Sequence, residues 1–343
     1  MYTHFFGLKE KPFTITPDPR YLYMSELHRE ALAHLLYGVD SDGCLILLTG
    51  DVGTGKTTVC RCFLEQLNDT TDAALIINPK LSAIELLESI CDELNIQYDR
   101  NEKSIKSIID KLNHYLLASH SEGRTTIVII DEAQNLDLDV LEQLRMLTNL
   151  ETERHKLLKI VLLGQPELLD LLKKKEVAQI NQRITSRYHL QPLLHKNDLF
   201  NYVNHRLNIA GSHLDLFSPR ALAYLFKASC GVPRLVNIIC DRSLLGAYVE
   251  GKNHVNKKTM IQAANEVMTP GKTKNSPSAP KNQSIKILKR ILVGLLLIGI
   301  GGGGAMLFTR YLITQPQDRT STPTDKIDQS ENLQKPHVSK DRQ

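Results

Sequence analysis

The stretch Gly50-Asp51-Val52-Gly53-Thr54-Gly55-Lys56-Thr57-Thr58 directly follows a short apolar run, 45–48, that predicts a buried strand. It fits the pattern G-x-x-x-x-G-K-[ST], which is typical of a phosphate-binding loop. The three glycines permit backbone angles that a Cβ would forbid, so that successive N–H groups can converge on phosphate oxygens. All nine residues are therefore candidates for nucleotide binding. The alternative is a glycine-rich turn that matches the pattern by chance.

Two side chains of this loop have specific roles in such a site. Lys56 would place a positive charge between the β- and γ-phosphates, and the Thr57 hydroxyl would ligate Mg²⁺. A helix beginning near Lys56 would direct its positive end at the same anion. The stretch thus predicts a nucleotide phosphate site with a magnesium ion.

Strands and helices alternate through the first half of the chain. Apolar runs at 73–78, 125–130 and 157–163 predict further buried strands, each separated from the next by a helical pattern. Continuous apolar strands that alternate with helices are typical of a parallel sheet covered on both faces. The predicted fold class is therefore α/β, and ligands should bind at the carboxyl ends of the strands.

Polar residues stand at those strand ends. Asp131 is placed to hold Mg²⁺ opposite Thr57, and Glu132 could polarise a water for attack on the γ-phosphate. Gln165 could bridge that water and the phosphate, or it could be a simple turn amide. Phosphoryl transfer also needs an arginine on the developing charge. The candidates are Arg183, Arg187 and Arg234, each of which could instead be a solvated helix charge.

Composition excludes several classes of protein. The net charge of +4 does not by itself indicate nucleic acid, and the scattered cysteines and histidines show no metal-ligand spacing. We therefore expect reduced thiols and no transition-metal site. The N-terminus lacks the basic and apolar regions of a signal peptide.

The C-terminal part contains a membrane-span candidate. Residues 291–308 carry no charge, and the span would reach 313 if Arg310 snorkels. A buried glycine-rich helix is the alternative, but four consecutive glycines would destabilise a soluble helix. Because lysines and arginines crowd the N-terminal side of this run, the nucleotide-binding part should be cytoplasmic. The prediction is a single-pass membrane protein with a short tail on the outer side of the membrane.

The chain thus divides into six predicted parts. An arm rich in proline and aromatic residues comes first, for which we expect no regular structure before a helix that begins at Ser25; it could wall the nucleotide pocket. The strand signal fades from about Pro192, where helices dominate. The parts are the arm (1–40), the α/β core (41–191), a helical lid (192–268), a flexible basic linker (269–290), a transmembrane helix (291–313) and a disordered tail (314–343).

Sequence patterns over about 1–268 resemble the AAA+ ATPases, and more closely the GspA/ExeA family of bacterial secretion ATPases with relatives in pilus assembly. The resemblance extends beyond the general ATPase motifs, to segments such as Phe5-Phe6-Gly7-Leu8 and Ile130-Asp131-Glu132-Ala133-Gln134. The segments that carry it are 5–8, 12–13, 16–23, 28–33, 50–58, 130–134, 141–151, 164–168, 182–193 and 231–237.

The resemblance implies a P-loop NTPase (AAA+) fold followed by a small helical lid. It also implies hydrolysis of ATP with Mg²⁺ and a role in type II secretion or pilus assembly beside a membrane protein partner. With the predicted span, it places the chain in the bacterial inner membrane, with a cytoplasmic ATPase domain and a short periplasmic tail. Lys56 and Thr57 would contact phosphate and Mg²⁺, Asp131 would contact Mg²⁺, and Glu132 would be the catalytic base. Gln165 would be the first sensor, Arg234 the sensor on the lid, and Arg187 the finger that reaches a neighbouring subunit, so that the active form would be a homo-oligomer.

The chain departs from that family after the predicted span. Family members often carry a peptidoglycan-binding domain there, whereas only about thirty polar residues follow here, so direct peptidoglycan binding is not expected. A DNA-handling helper ATPase of the transposition type remains the alternative function, but the modest charge and the predicted span argue against a nucleic-acid partner. A nucleotide-gated scaffold without hydrolysis is disfavoured by the intact Glu132.

Overall fold

A five-stranded parallel sheet forms the centre of the computed structural model, which describes residues 1–16, 18–77, 79–100, 104–212 and 215–268. The strand order is β2-β3-β4-β1-β5, and every neighbouring pair is parallel. The strands are β1 (Leu45–Gly50), β2 (Thr71–Ile76), β3 (Thr125–Ile130), β4 (Leu158–Gly164) and β5 (Ile184–Leu190).

Helices cover both faces of this sheet, which is why its central strands are apolar throughout. Alternate residues of β1 enter two separate cores: Leu45 and Leu47 pack on one face, and Ile46 and Leu48 on the other. The second face is covered by α2 (Glu26–Asp40) and α3 (Lys56–Glu65). The first is covered by α4 (Ala83–Glu93), α5 (Ile105–Ser121), α6 (Leu138–Leu147), α7 (Glu167–Leu172) and α8 (Ala178–Gln182).

The N-terminal arm and the four helices that follow the sheet share a third core. Tyr2, Phe6 and Phe13 of the arm are buried among the apolar side chains of these helices. The predicted absence of regular structure in the arm was wrong in two short stretches, a one-turn helix and a 3₁₀ turn at Pro19–Tyr21. The elements are α1 (Tyr2–Phe5), α9 (Lys196–Ile209), α10 (Pro219–Ser229), α11 (Pro233–Val249) and α12 (Lys257–Met268).

The fifth strand was not predicted. β5 carries Thr185, Arg187 and His189 on exposed positions, so that only Ser186 and Leu190 are buried. An edge strand with so few apolar residues lacks the continuous run that identifies a buried strand. Arg187 therefore lies on a strand at the edge of the sheet, not on a helix.

The predicted linker, transmembrane helix and tail (269–343) lie outside the described residues. Within the part of the chain that the structure covers, no helix is long and apolar enough to cross a membrane.

Candidate functional site

The loop that follows β1 has the backbone geometry of a phosphate cradle. Gly53 and Gly55 have φ values of +83° and +109°, which a side chain would strain. Gly55 precedes the first residue of α3, so the N-terminus of that helix opens onto the loop. Side chains from other elements pack closely against both glycines. A Cβ on Gly53 would lie 2.5 Å from Cβ of Arg234, and a Cβ on Gly55 would lie 2.7 Å from Nε2 of His28.

Lys56 is buried at the start of α3. Its ammonium donates hydrogen bonds to the carbonyl oxygens of Gly50 (2.7 Å) and Asp51 (3.1 Å). Burial lowers the pKa of Lys56, and nearby carboxylates, Glu132 first among them, oppose that shift. No carboxylate in the described residues forms a salt bridge with this ammonium, so its charge is available to an anion in the loop.

Thr57 and Asp131 meet across the end of the sheet. The Thr57 hydroxyl donates to Oδ2 of Asp131 at 2.7 Å, and the backbone N–H of Glu132 donates to Oδ1 at 2.8 Å. Asp131 continues β3 by donating its N–H to the carbonyl of Ile76. A hydroxyl and a carboxylate at this distance present the oxygen ligands that Mg²⁺ prefers.

Glu132 and Gln165 are also brought together. Gln165 Nε2 donates to Oε2 of Glu132 at 3.1 Å, and Gln134 Nε2 donates to the same oxygen at 2.5 Å. Burial would raise the pKa of the Glu132 carboxyl, but these two amides and the charge of Lys56 lower it below its usual value. Glu132 is therefore held as a carboxylate. Its contact with Gln134 was not predicted.

A cavity of about 330 Å³ joins these groups to the arm and to the helices that follow the sheet. Lys56, Thr57, Glu132, Gln165 and Arg234 all line it. Asp131 lies behind its wall, bonded to Thr57. Among the nine loop residues, those that line the cavity are Val52, Gly53, Gly55, Lys56, Thr57 and Thr58; Gly50, Asp51 and Thr54 do not.

The three candidate arginines lie in different environments. The backbone N–H of Arg234 donates to Gly53 O at 3.2 Å, so α11 touches the loop. Arg183 donates to Arg145 O and to the side chains of Thr148 and Asn149 at the carboxyl end of α6. Arg187 is exposed and does not line the cavity; within the described part of the chain, its side chain donates two hydrogen bonds, both to Asn181, at 2.6 and 2.9 Å.

Arg206 of α9 is a cavity residue that the sequence analysis missed. The residue is 7% exposed. Its guanidinium donates hydrogen bonds to the carbonyls of Pro12 (2.6 Å) and Thr14 (3.3 Å) and to the Tyr202 hydroxyl (3.2 Å). It also lies 4.7 Å from the centre of the Tyr21 ring. Arg206 lies on the buried face of α9 together with the apolar residues of that helix. An arginine at the helical spacing of those apolar residues was the sequence signal that could have identified it.

His28 joins the second helix to the loop. Its Nε2 lies 3.1 Å from Thr54 O, and its Nδ1 lies 2.6 Å from the Ser25 hydroxyl. Because a carbonyl only accepts, Nε2 carries the proton and Nδ1 accepts from Ser25. Burial lowers the pKa of this imidazole, which keeps it neutral and packed against Gly55.

Known proteins resemble this chain in sequence and in fold. The AAA domain family matches residues 39–172. General secretion pathway protein A of Aeromonas hydrophila is 51% identical over 267 residues, which cover 78% of this chain. The match covers 48% of the relative, so the chain spans about half the length of that protein.

Two solved structures share the fold at low sequence identity. Cdc6p of Pyrobaculum aerophilum has a TM-score of 0.59 and 20% identity, over 75% of this chain and 70% of its own. The ADP form of the Aeropyrum pernix ORC2 protein has a TM-score of 0.58 and 16% identity, over 76% of this chain and 73% of its own. The predicted P-loop fold with a parallel sheet, and the resemblance on which it was predicted, are confirmed: the chain carries an AAA domain and is a homologue of General secretion pathway protein A.

Proposed function

We propose that this chain is an ATP hydrolase that helps to assemble or energise a bacterial envelope secretion machine of the type II secretion or pilus kind. The observation that carries the enzymatic part is one cavity lined by Lys56, Thr57 and Glu132, with Asp131 bonded to Thr57 behind its wall. The secretion part rests on the name of the homologous protein, General secretion pathway protein A.

The residues around the cavity have separate roles in the proposed reaction. The loop N–H groups and Lys56 hold the phosphates, while Thr57 and Asp131 hold Mg²⁺, which supplies charge neutralisation of the phosphates when bound. Glu132 accepts a proton from the attacking water, and Gln165 orients that water. Arg234 reaches the cavity from α11, so that it would report nucleotide binding to the helical lid.

The experiment is a measurement of Mg²⁺-dependent ATP hydrolysis by the full chain. We expect Lys56→Ala to abolish turnover and Glu132→Gln to bind ATP but release almost no phosphate. Lys174→Ala and Glu176→Gln are matched controls, because both side chains are exposed on the surface outside the cavity. Normal turnover by either site variant would overturn the assignment.

Salt-sensitive DNA binding would instead support the DNA-handling alternative.

Arg187 is the arginine best suited to act on a neighbouring subunit's nucleotide. Arg183 already satisfies acceptors at the end of α6, whereas Arg187 is exposed and its side chain donates hydrogen bonds only to Asn181 within the described residues. We expect Arg187→Ala and Glu132→Gln to be inactive separately and to recover activity when mixed, since one variant supplies the finger and the other the base. Lack of recovery in mixed oligomers would exclude a finger in trans.

The inner-membrane location rests on residues 291–313 of the sequence. We expect the full chain to remain in membranes after alkaline carbonate extraction, and a chain that ends at residue 270 to be released. Release of the full chain would contradict the span. Co-purification from membranes then identifies the partner protein.

A further inference from the structure

Glu132 adopts a backbone conformation that a residue with a side chain normally avoids. Its φ and ψ are +55° and +36°, in the left-handed region, immediately before the 3₁₀ turn Ala133–Asn135. Such a conformation costs about 1–3 kcal/mol for a residue other than glycine, and it persists only where surrounding contacts enforce it. The backbone N–H of Glu132 donates to Asp131 Oδ1, and its carbonyl accepts from the N–H of Asn135. Its carboxylate is held by the side chains of Gln134 and Gln165.

Gln134 spans the gap between the ends of β3 and β4. Its Nε2 donates to Oε2 of Glu132 at 2.5 Å, and its Oε1 accepts the backbone N–H of Gln165 at 3.0 Å. The Gln165 N–H can only donate, which requires Oε1 on that side and leaves Nε2 for the carboxylate. The close approach at Gly164, where a Cβ would lie 3.1 Å from Oε1, leaves the amide little room to turn.

The two carboxylate oxygens of Glu132 consequently differ. Oε2 accepts from both Gln134 and Gln165, whereas Oε1 has no hydrogen-bond partner among the residues that the structure describes. Since Glu132 lines the cavity, the unoccupied oxygen is the one available to a water beside the γ-phosphate. An amide on Oε2 thus determines the direction of Oε1.

We propose that Gln134 is a positioning residue for Glu132, which holds one carboxylate oxygen so that the other can accept the proton of the attacking water. This inference rests on the proposed ATP hydrolysis. Gln134 does not line the cavity, so it acts through Glu132 and Gln165 and not on the nucleotide.

The two contacts of Gln134 make this role testable. Gln134→Glu keeps an oxygen that can accept the Gln165 N–H but has no amide N–H for Oε2 of Glu132. Gln134→Met has a similar volume and removes both the donor and the acceptor.

The experiment measures kcat and KM for Mg²⁺-dependent ATP hydrolysis by wild type, Gln134→Glu and the volume-matched Gln134→Met. We expect kcat of both variants to fall by about tenfold to hundredfold, as misplacement of a catalytic group does. KM should stay within about twofold of wild type, because neither change touches the phosphates.

Gln179→Glu is the control, since Gln179 is exposed on α8. A loss confined to KM would overturn the inference. Wild-type kcat in both Gln134 variants would overturn it as well. Failure of the proposed function has a different signature, because the wild-type chain would then hydrolyse no ATP. If Gln134→Glu does not fold, Gln134→Met decides through the split between kcat and KM.

Discussion

Replacing Arg206 by methionine tests whether a buried guanidinium fastens the N-terminal arm to the helices beyond the sheet. Methionine keeps most of the apolar stem but removes hydrogen bonds to Pro12 O and Thr14 O and the contact with the Tyr21 ring. The Pro12 carbonyl loses its Arg206 donor, whereas Thr14 O keeps a hydrogen bond from Asn237 at 3.5 Å. Each of the two lost hydrogen bonds costs about 1 kcal/mol, since the adjoining cavity can admit water. The lost cation–π contact adds about 1 kcal/mol, for a total of about 3 kcal/mol.

The apparent Tm of the full chain measures this loss. One kcal/mol moves the Tm of a domain of this size by about 2–4 °C, so Arg206→Met should lower it by about 6–12 °C. Circular dichroism is the suitable signal, because the chain has no tryptophan. Trypsin should also cleave faster at the exposed Arg20 once the arm loosens.

Arg242→Met is the matched control for this measurement. Arg242 lies exposed on α11, in the same group of helices, and its loss should change stability by less than about 0.5 kcal/mol. If Arg206→Met lowers Tm no more than Arg242→Met does, the guanidinium contributes nothing to fastening the arm, and the reasoning is refuted.

Three further outcomes are expected. Gly55→Ala should destabilise the chain more than Gly123→Ala in thermal unfolding, because both have positive φ (+109° and +77°) but only Gly55 would bring a Cβ to within 2.7 Å of a neighbouring side chain. Ser82→Ala should lower the free energy of unfolding by about 1 kcal/mol in urea titrations, by removing the cap of α4. Hydrogen bonds from Arg124 lower the pKa of Asp72, so the stability lost in Asp72→Asn should be full at pH 7 and should shrink as pH falls below about 4. A difference between wild type and Asp72→Asn that is constant over pH 3–7 would contradict that linkage.

The sequence was most informative where local pattern and burial coincide. The apolar runs of β1, β3 and β4 are buried on both faces, so their composition alone identified them. The capping box at Ser82 and the proline at the start of α10 likewise marked helix ends, because caps depend on residues close in the chain. β5 was missed because an edge strand buries few of its side chains.

The phosphate loop was determined by the sequence itself, since glycine spacing dictates the backbone angles and the helix that follows dictates the direction of the N–H groups. The order of the strands was decided only by the tertiary structure, and it is that order that brings Thr57 to Asp131 and Glu132 to Gln165. The roles of Gln134 and Arg206 also emerged only there. Each of these side chains links segments that are distant along the chain, and no local pattern encodes which carbonyl or carboxylate a side chain will meet.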